Sequence, residues 1–218
     1  MRRWLSMLVL AVCATACGAG GEPDAADFLA DPDPSEACLL RLHGKGGDGS
    51  PWRLRDDAVT VISPRGNDAA WDAYQWDYLD ESGYREALAI VEDALAAFSC
   101  ERTVVYGFSN GAAMAVALHC GGDLTGVIGY VVDDPVTDAA SVGCDPTPGV
   151  DVAVYWTGDL ERAAPIGTEC GSLDWTCLGG VVRGIDAVAA DLGVAWQASV
   201  HETHTPFDDA PELTRWFS

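Results

Sequence analysis

From Cys38 onward the chain alternates short apolar runs with stretches whose apolar residues recur at helical spacing. Residues 38–42 form a strand candidate that ends at His43-Gly44, and residues 59–62 form a second that ends at Ser63-Pro64. Residues 84–98 read as a helix, because Leu88, Val91, Leu95 and Phe98 return every three or four positions. Residues 103–106 are a β-branched and aromatic run that stops at Gly107, and residues 110–119, rich in Ala, Met and Leu, read as a buried helix. Residues 127–132 and 152–156 are further strands. Residues 181–192 predict a helix with Ile185, Val188 and Leu192 on one face. Residues 196–200 are a last strand, and residues 211–217 a closing helix with Asp208 or Asp209 as candidate N-caps. Strands alternating with helices imply an α/β fold, a mostly parallel sheet covered on both faces. In such sheets the reactive groups gather at the carboxyl ends of the strands, so the residues just after each strand carry the interest.

The N-terminal region has a different pattern. Arg2 and Arg3 are basic, residues 4–12 are apolar, and Ala14-Thr15-Ala16-Cys17 sets small residues before a cysteine. This resembles the lipobox of bacterial lipoproteins, with Ala14 where Leu is usual. The resemblance implies that Cys17 is lipidated and becomes the new N-terminus. Ala14-Thr15-Ala16 also satisfies an ordinary signal-peptide cleavage site, and export follows under both readings. The apolar run is short for a membrane span, and no later segment is long and apolar enough to cross a bilayer. Contact with a membrane is therefore expected only through a lipid anchor at Cys17, with secretion the outcome if that cysteine is not lipidated. Residues 18–36, rich in Gly, Pro, Ala, Asp and Glu, read as a flexible acidic tether. The expected organisation is a signal peptide over 1–16, a tether over 17–36 and one folded domain over 37–218.

Charge narrows the partners. Asp and Glu total 34 against 12 Lys and Arg, a formal charge of -22 in 218 residues. Such a surface repels nucleic acid and anionic head groups, which leaves no nucleic-acid partner, and it speaks for a strongly solvated exterior. Export makes the cysteines legible. Apart from Cys13 and Cys17 there are six, at Cys38, Cys100, Cys120, Cys144, Cys170 and Cys177. An even count in an oxidising compartment predicts disulfides, and six cysteines allow 15 pairings. No C-x-x-C pair occurs, so a zinc site is not expected.

The strongest chemical signal follows the strand that ends at Tyr106. Gly107-Phe108-Ser109-Asn110-Gly111 is G-x-S-x-G between a strand and a helix. A sharp turn there holds the serine at the sheet edge, and the helix that follows aims its first amides at a developing oxyanion. The upstream Leu42-His43-Gly44-Lys45-Gly46-Gly47-Asp48-Gly49 lacks the spacing and ending of a P-loop.

Together these two segments resemble the α/β-hydrolase superfamily, nearest to its polyhydroxybutyrate-depolymerase and feruloyl-esterase-like branch and its phospholipase/carboxylesterase branch. The resemblance spans residues 38–218. It implies a serine esterase in which Ser109 is the nucleophile and the backbone amides of Lys45 and Asn110 form the oxyanion hole. The base must come from four histidines. His43 belongs to the oxyanion turn, and His119 sits at the far end of the nucleophile helix, roughly 15 Å from Ser109 at about 1.5 Å per residue. His201 and His204 remain, after the last strand. His204 is the better candidate, because Pro206-Phe207 follows it, as in relatives where the histidine precedes an aromatic residue. For the acid, relatives often show a glycine, an acid three positions later and a proline four further on. Gly158, Glu161 and Pro165 fit, so Glu161 is the expected acid, with Asp159 a rival and Asp133 or Asp134 a third option. The order Ser109, Glu161, His204 is that of the fold.

The same resemblance places Cys38 and Cys100 near the starts of neighbouring strands, so a disulfide is expected there. Cys170–Cys177 would staple the loop after the acid, and Cys120–Cys144 would complete the set. Trp71 and Trp76 are expected to cover the core in preference to lining a cleft. Little chain precedes residue 38, and no insertion is long enough for a cap domain. The expectation is a minimal sheet of about six strands with an open site, which suits an extended or polymeric ester better than a small buried one. The expected partner is a small-molecule or polymeric ester, and the chain is expected to act as a monomer without metal or cofactor. Acyl transfer to an envelope alcohol, amide cleavage, or a binding lipoprotein that kept the fold and lost the activity are the competing functions.

Overall fold

The structure, a computed structural model, describes residues 29–30, 37–52, 58–135, 144, 147–157, 185–201 and 203–218. In chain order its elements are β1 (Leu29–Ala30), β2 (Ala37–Leu42), β3 (Thr60–Ser63), β4 (Asp68–Ala70), β5 (Ala73–Gln75), α1 (Glu81–Ala96), β6 (Arg102–Phe108), α2 (Asn110–Gly121), β7 (Val127–Asp133), β8 (Asp151–Trp156), α3 (Ile185–Asp191), β9 (Trp196–Ala198) and α4 (Glu212–Arg215). The main sheet runs β1-β3-β2-β6-β7-β8-β9. Six of these strands are parallel, and the two-residue β1 joins antiparallel to β3 at the edge. This is the mostly parallel six-strand sheet the alternating pattern predicts, with one short addition inside the segment expected to be a tether.

The strands read as continuous apolar runs because both faces are covered. Successive residues point to opposite faces, so the sheet serves two cores. Leu40, Leu42, Val105, Val132 and Val154 pack on one face with α1, α2 and α3 through Leu88, Val91, Met114, Leu118, Ile185 and Val188. Leu39, Val104, Tyr106, Val131 and Tyr155 pack on the other with Phe207, Ala210 and Leu213 from the C-terminal segment. Each fully buried aliphatic side chain contributes roughly 1.5–3 kcal/mol, which fixes the strand register. α1 begins at Asp80, whose carboxylate accepts from the Gly83 amide at 2.8 Å and satisfies one free donor of the first turn. α2 is apolar all round and lies across the middle of the sheet.

Among the described residues there are two disulfides. Cys38–Cys100 joins the start of β2 to the second residue before β6, with Cα atoms 5.6 Å apart, and Cys120–Cys144 ties the end of α2 to the loop before β8, at 4.8 Å. Cys170 and Cys177 lie outside the described residues. The hairpin β4–β5 is not foreseen from sequence. It attaches to the turn after β2, where Gly46 and Gly47 exchange backbone hydrogen bonds with Tyr74 at 2.8 and 2.9 Å. Its two tryptophans divide. Trp76 is buried in the core, as expected, whereas Trp71 at the hairpin tip is 74% exposed and lies against Gly46.

Candidate active site

The carboxyl ends of five neighbouring parallel strands deliver polar groups to one edge of the sheet. β2 leads to His43, β6 to Ser109, β7 to Asp134, β8 to Thr157 and β9 to the loop that carries His204. These segments are far apart in sequence, and the parallel strand order brings them together.

Ser109 stands between β6 and α2 with φ 56 and ψ -116, a backbone conformation that L residues rarely adopt. The surrounding bonds hold it there. Its amide donates to Asp133 O at 2.9 Å, and its carbonyl accepts from Ala112 and Ala113 at 3.1 Å each. The flanking glycines are required by space. A Cβ on Gly107 would run into the Gly111 carbonyl, and one on Gly111 into the carbonyl oxygens of Leu42 and His43. The elbow therefore presses directly on the turn after β2, where a Cβ on Gly44 would stand 3.2 Å from Ser109 Cβ.

The Ser109 hydroxyl and His204 Nε2 are 2.9 Å apart, and His204 Nδ1 is hydrogen-bonded to Asp134 Oδ2. With Nδ1 donating to a carboxylate, Nε2 is left as the acceptor facing the hydroxyl. Asp134 is 1% exposed and also has a positive φ, 48. Its amide donates to Tyr155 O at 2.9 Å, and its carboxylate accepts from the Thr157 hydroxyl at 2.5 Å and the Thr157 amide at 3.3 Å. Phe108 covers the imidazole, with ring centroids 4.7 Å apart. A hydroxyl, an imidazole and a buried carboxylate in this order can pass the serine proton to the ring and stabilise the cation that results.

Glu161, the acid expected from spacing, and its rival Asp159 lie outside the described residues. The carboxylate on His204 is Asp134, the third option at the sequence level. β7 is hydrogen-bonded to β6, so the residue that follows β7 emerges beside the residue that follows β6. His201 packs edge-on against Phe207 at 5.6 Å. His119 is buried with neither ring nitrogen hydrogen-bonded among the described residues, and burial holds its pKa below the ordinary value.

The amides of Lys45 and Asn110 donate to no acceptor among the described residues, and Asn110 opens α2, where the first amides have no intrahelical partner. The turn that carries Lys45 is braced by His43. Its Nε2 accepts from the Gly66 amide at 3.0 Å and its Nδ1 donates to Gly44 O at 2.8 Å. Burial lowers its pKa, so the ring is kept neutral. The Asn110 side chain has a role that its place in the motif does not announce. It accepts from the Trp76 amide at 2.7 Å and donates to the Trp76 carbonyl at 3.1 Å, while Trp76 Nε1 donates to His43 O at 3.2 Å. The elbow, the turn after β2 and the hairpin are thereby one hydrogen-bonded unit. The Lys45 ammonium lies 5.4 Å from the centre of the Trp71 ring.

Solved structures with the same architecture decide the fold. A carboxylesterase from Bacillus cereus superposes with a TM-score of 0.59 at 20% identity, over 87% of this chain and 92% of that one. The chain has the α/β-hydrolase fold. An α/β hydrolase from Sphaerobacter thermophilus matches this α/β-hydrolase fold with a TM-score of 0.51 at 15% identity, covering 88% of this chain and 96% of the other. A protein of unknown function from Agrobacterium tumefaciens matches with a TM-score of 0.55 at 15% identity, over 88% and 96%. No protein-family model and no curated protein matches the sequence.

Proposed function

We propose that the chain is an exported serine hydrolase that cleaves carboxylic esters through an acyl-enzyme on Ser109. The observation that carries this reading is the hydrogen-bonded series Ser109–His204–Asp134 at a strained strand-to-helix turn. Strained backbone persists only where the surroundings hold it, and such residues cluster at functional sites. His204 removes the Ser109 proton, and Ser109 attacks the ester carbonyl. The amides of Lys45 and Asn110 donate to the oxyanion, and Asp134 stabilises the imidazolium. The proton passes from His204 to the leaving alcohol. Water, deprotonated by the same ring, then releases the acid and restores Ser109. The carboxylesterase from Bacillus cereus, which shares the fold, is in keeping with ester cleavage.

The N-terminal pattern supports export, with Cys17 as the lipidated residue, and the two disulfides fit an oxidising compartment. Hydrolysis of p-nitrophenyl esters by wild type and Ser109→Ala tests the reading. A loss of kcat/KM of at least about 10³-fold is expected. Retained hydrolysis in the variant, or a wild-type protein inert toward short and long acyl chains alike, contradicts it.

A further inference from the structure

We propose that Asp133, next to the acid on His204, is a positioning residue whose ionised carboxylate holds the His204 loop in place. The inference rests on the reading of Ser109, His204 and Asp134 as a catalytic series. β7 ends in two successive carboxylates that point to different neighbours. Asp134 meets the imidazole. Asp133 Oδ2 accepts from the Phe207 amide at 2.7 Å and from the Tyr106 hydroxyl at 2.7 Å. Phe207 is three residues beyond His204. The Asp133 carbonyl accepts from the Ser109 amide at 2.9 Å. One residue thus fixes both sides of the Ser109–His204 contact, the elbow through its backbone and the histidine loop through its side chain.

The bare need for an acceptor at Phe207 does not explain a carboxylate. Asp133 is fully buried, and its Oδ1 has no hydrogen-bond partner among the described residues. Burial pushes its pKa up to about 6, against the pull of the Phe207 and Tyr106 bonds. A neutral amide oxygen would accept the same two bonds without that penalty. What the charge adds is strength. Bonds to an ionised acceptor are roughly twice as strong as neutral ones, and a second negative charge beside Asp134 favours the imidazolium. The ionisable groups facing Asp133 are Tyr106 on β6, the following Asp134, His204 in the loop, and Tyr155 on β8 with its partner Glu212. Asp208 and Arg41 lie beyond Tyr106. Protonation of Asp133 would place a hydrogen on Oδ1, where no acceptor waits, or displace a donor from Oδ2. Either weakens the grip on Phe207.

The consequence is a second ionisation on the acid limb of the rate profile. In wild type Asp133 must be deprotonated for full activity, so log kcat falls more steeply with decreasing pH around pH 6 than it would without this group. Asp133→Asn should lower kcat at least about tenfold with KM changed by less than about twofold, and should remove the added steepness around pH 6. Tyr106→Phe removes a donor that favours the ionised form, so it should shift the steep part of the limb to higher pH while leaving Asp133 in place. A purely structural role would lower thermal stability and scale activity uniformly with the slope intact. That outcome, or an unchanged limb in Tyr106→Phe where Asp133→Asn does not fold, overturns the proposal. Failure of the underlying reading is seen separately, as hydrolysis surviving in Ser109→Ala.

Discussion

Asp134→Asn removes one negative charge from beside the imidazole, and the surroundings of Asp134 set the size of the effect. The carboxylate is 1% exposed and bonded to His204 Nδ1, Thr157 and the backbone of β8 through its own amide. When Ser109 gives up its proton, an imidazolium forms that is hydrogen-bonded to that carboxylate. At an effective dielectric constant near 20 such a pair interacts by about 4 kcal/mol, which is about a thousandfold in rate. Asn also turns an N–H toward Nδ1 and favours the ring tautomer whose Nε2 already carries hydrogen and cannot accept from Ser109. The two effects together predict a fall in kcat of about 10³–10⁴-fold. The assay is steady-state p-nitrophenyl ester hydrolysis, with circular dichroism to verify the fold. Asn is isosteric, its remaining oxygen can still accept from the Thr157 amide and its NH2 group can donate to the Thr157 hydroxyl oxygen, so the fold should persist. A folded variant that keeps more than about a tenth of wild-type kcat would refute the assignment. Glu161→Gln would then be the variant expected to carry the loss.

Three further outcomes follow from the same geometry. Gly111→Ala drives a methyl group into the carbonyls of Leu42 and His43, so it should cost about 3 kcal/mol or more and abolish activity, read by thermal melting and ester hydrolysis. Cys120→Ser/Cys144→Ser opens a crosslink of sequence separation 24, and chain entropy predicts a loss of about 3 kcal/mol in chemical denaturation; a loss near zero would contradict it. Asp133 has a folded-state pKa raised by burial from 3.8 to about 6, so its contribution to stability is complete below pH 3.8 and is lost as pH rises through about 6. The stability of wild type relative to Asp133→Asn should therefore decline by about 3 kcal/mol across that window, and a flat difference would show that burial does not govern this group.

The parts of the fold legible in the sequence are those fixed by local pattern. β6 and α2 flank a G-x-S-x-G whose glycines have no room for a side chain, and the strands announce themselves because both of their faces are buried. The parts that escaped depend on pairing between distant backbones. β4 and β5 are three residues each, short of β-branched residues, and are held by the Gly46 and Gly47 backbone, so no periodicity marks them. Asp134 ranked only as a third option for a related reason. Spacing from relatives points to Glu161, which lies outside the described residues, whereas the place of Asp134 beside His204 is set by the adjacency of β7 to β6. One local signal was present. Asp tolerates the left-handed backbone that a sharp exit from β7 requires, and Asp134 adopts it. The Asn110 clasp on Trp76 has no sequence signal, because it joins positions 34 residues apart.

Covalent labelling tests most directly whether this edge of the sheet makes Ser109 a nucleophile. Wild-type protein treated with a fluorophosphonate should gain a single adduct, which peptide mapping assigns to Ser109, and Ser109→Ala should gain none. A folded wild-type protein that takes up no label, or takes it up at a different residue, would contradict the account.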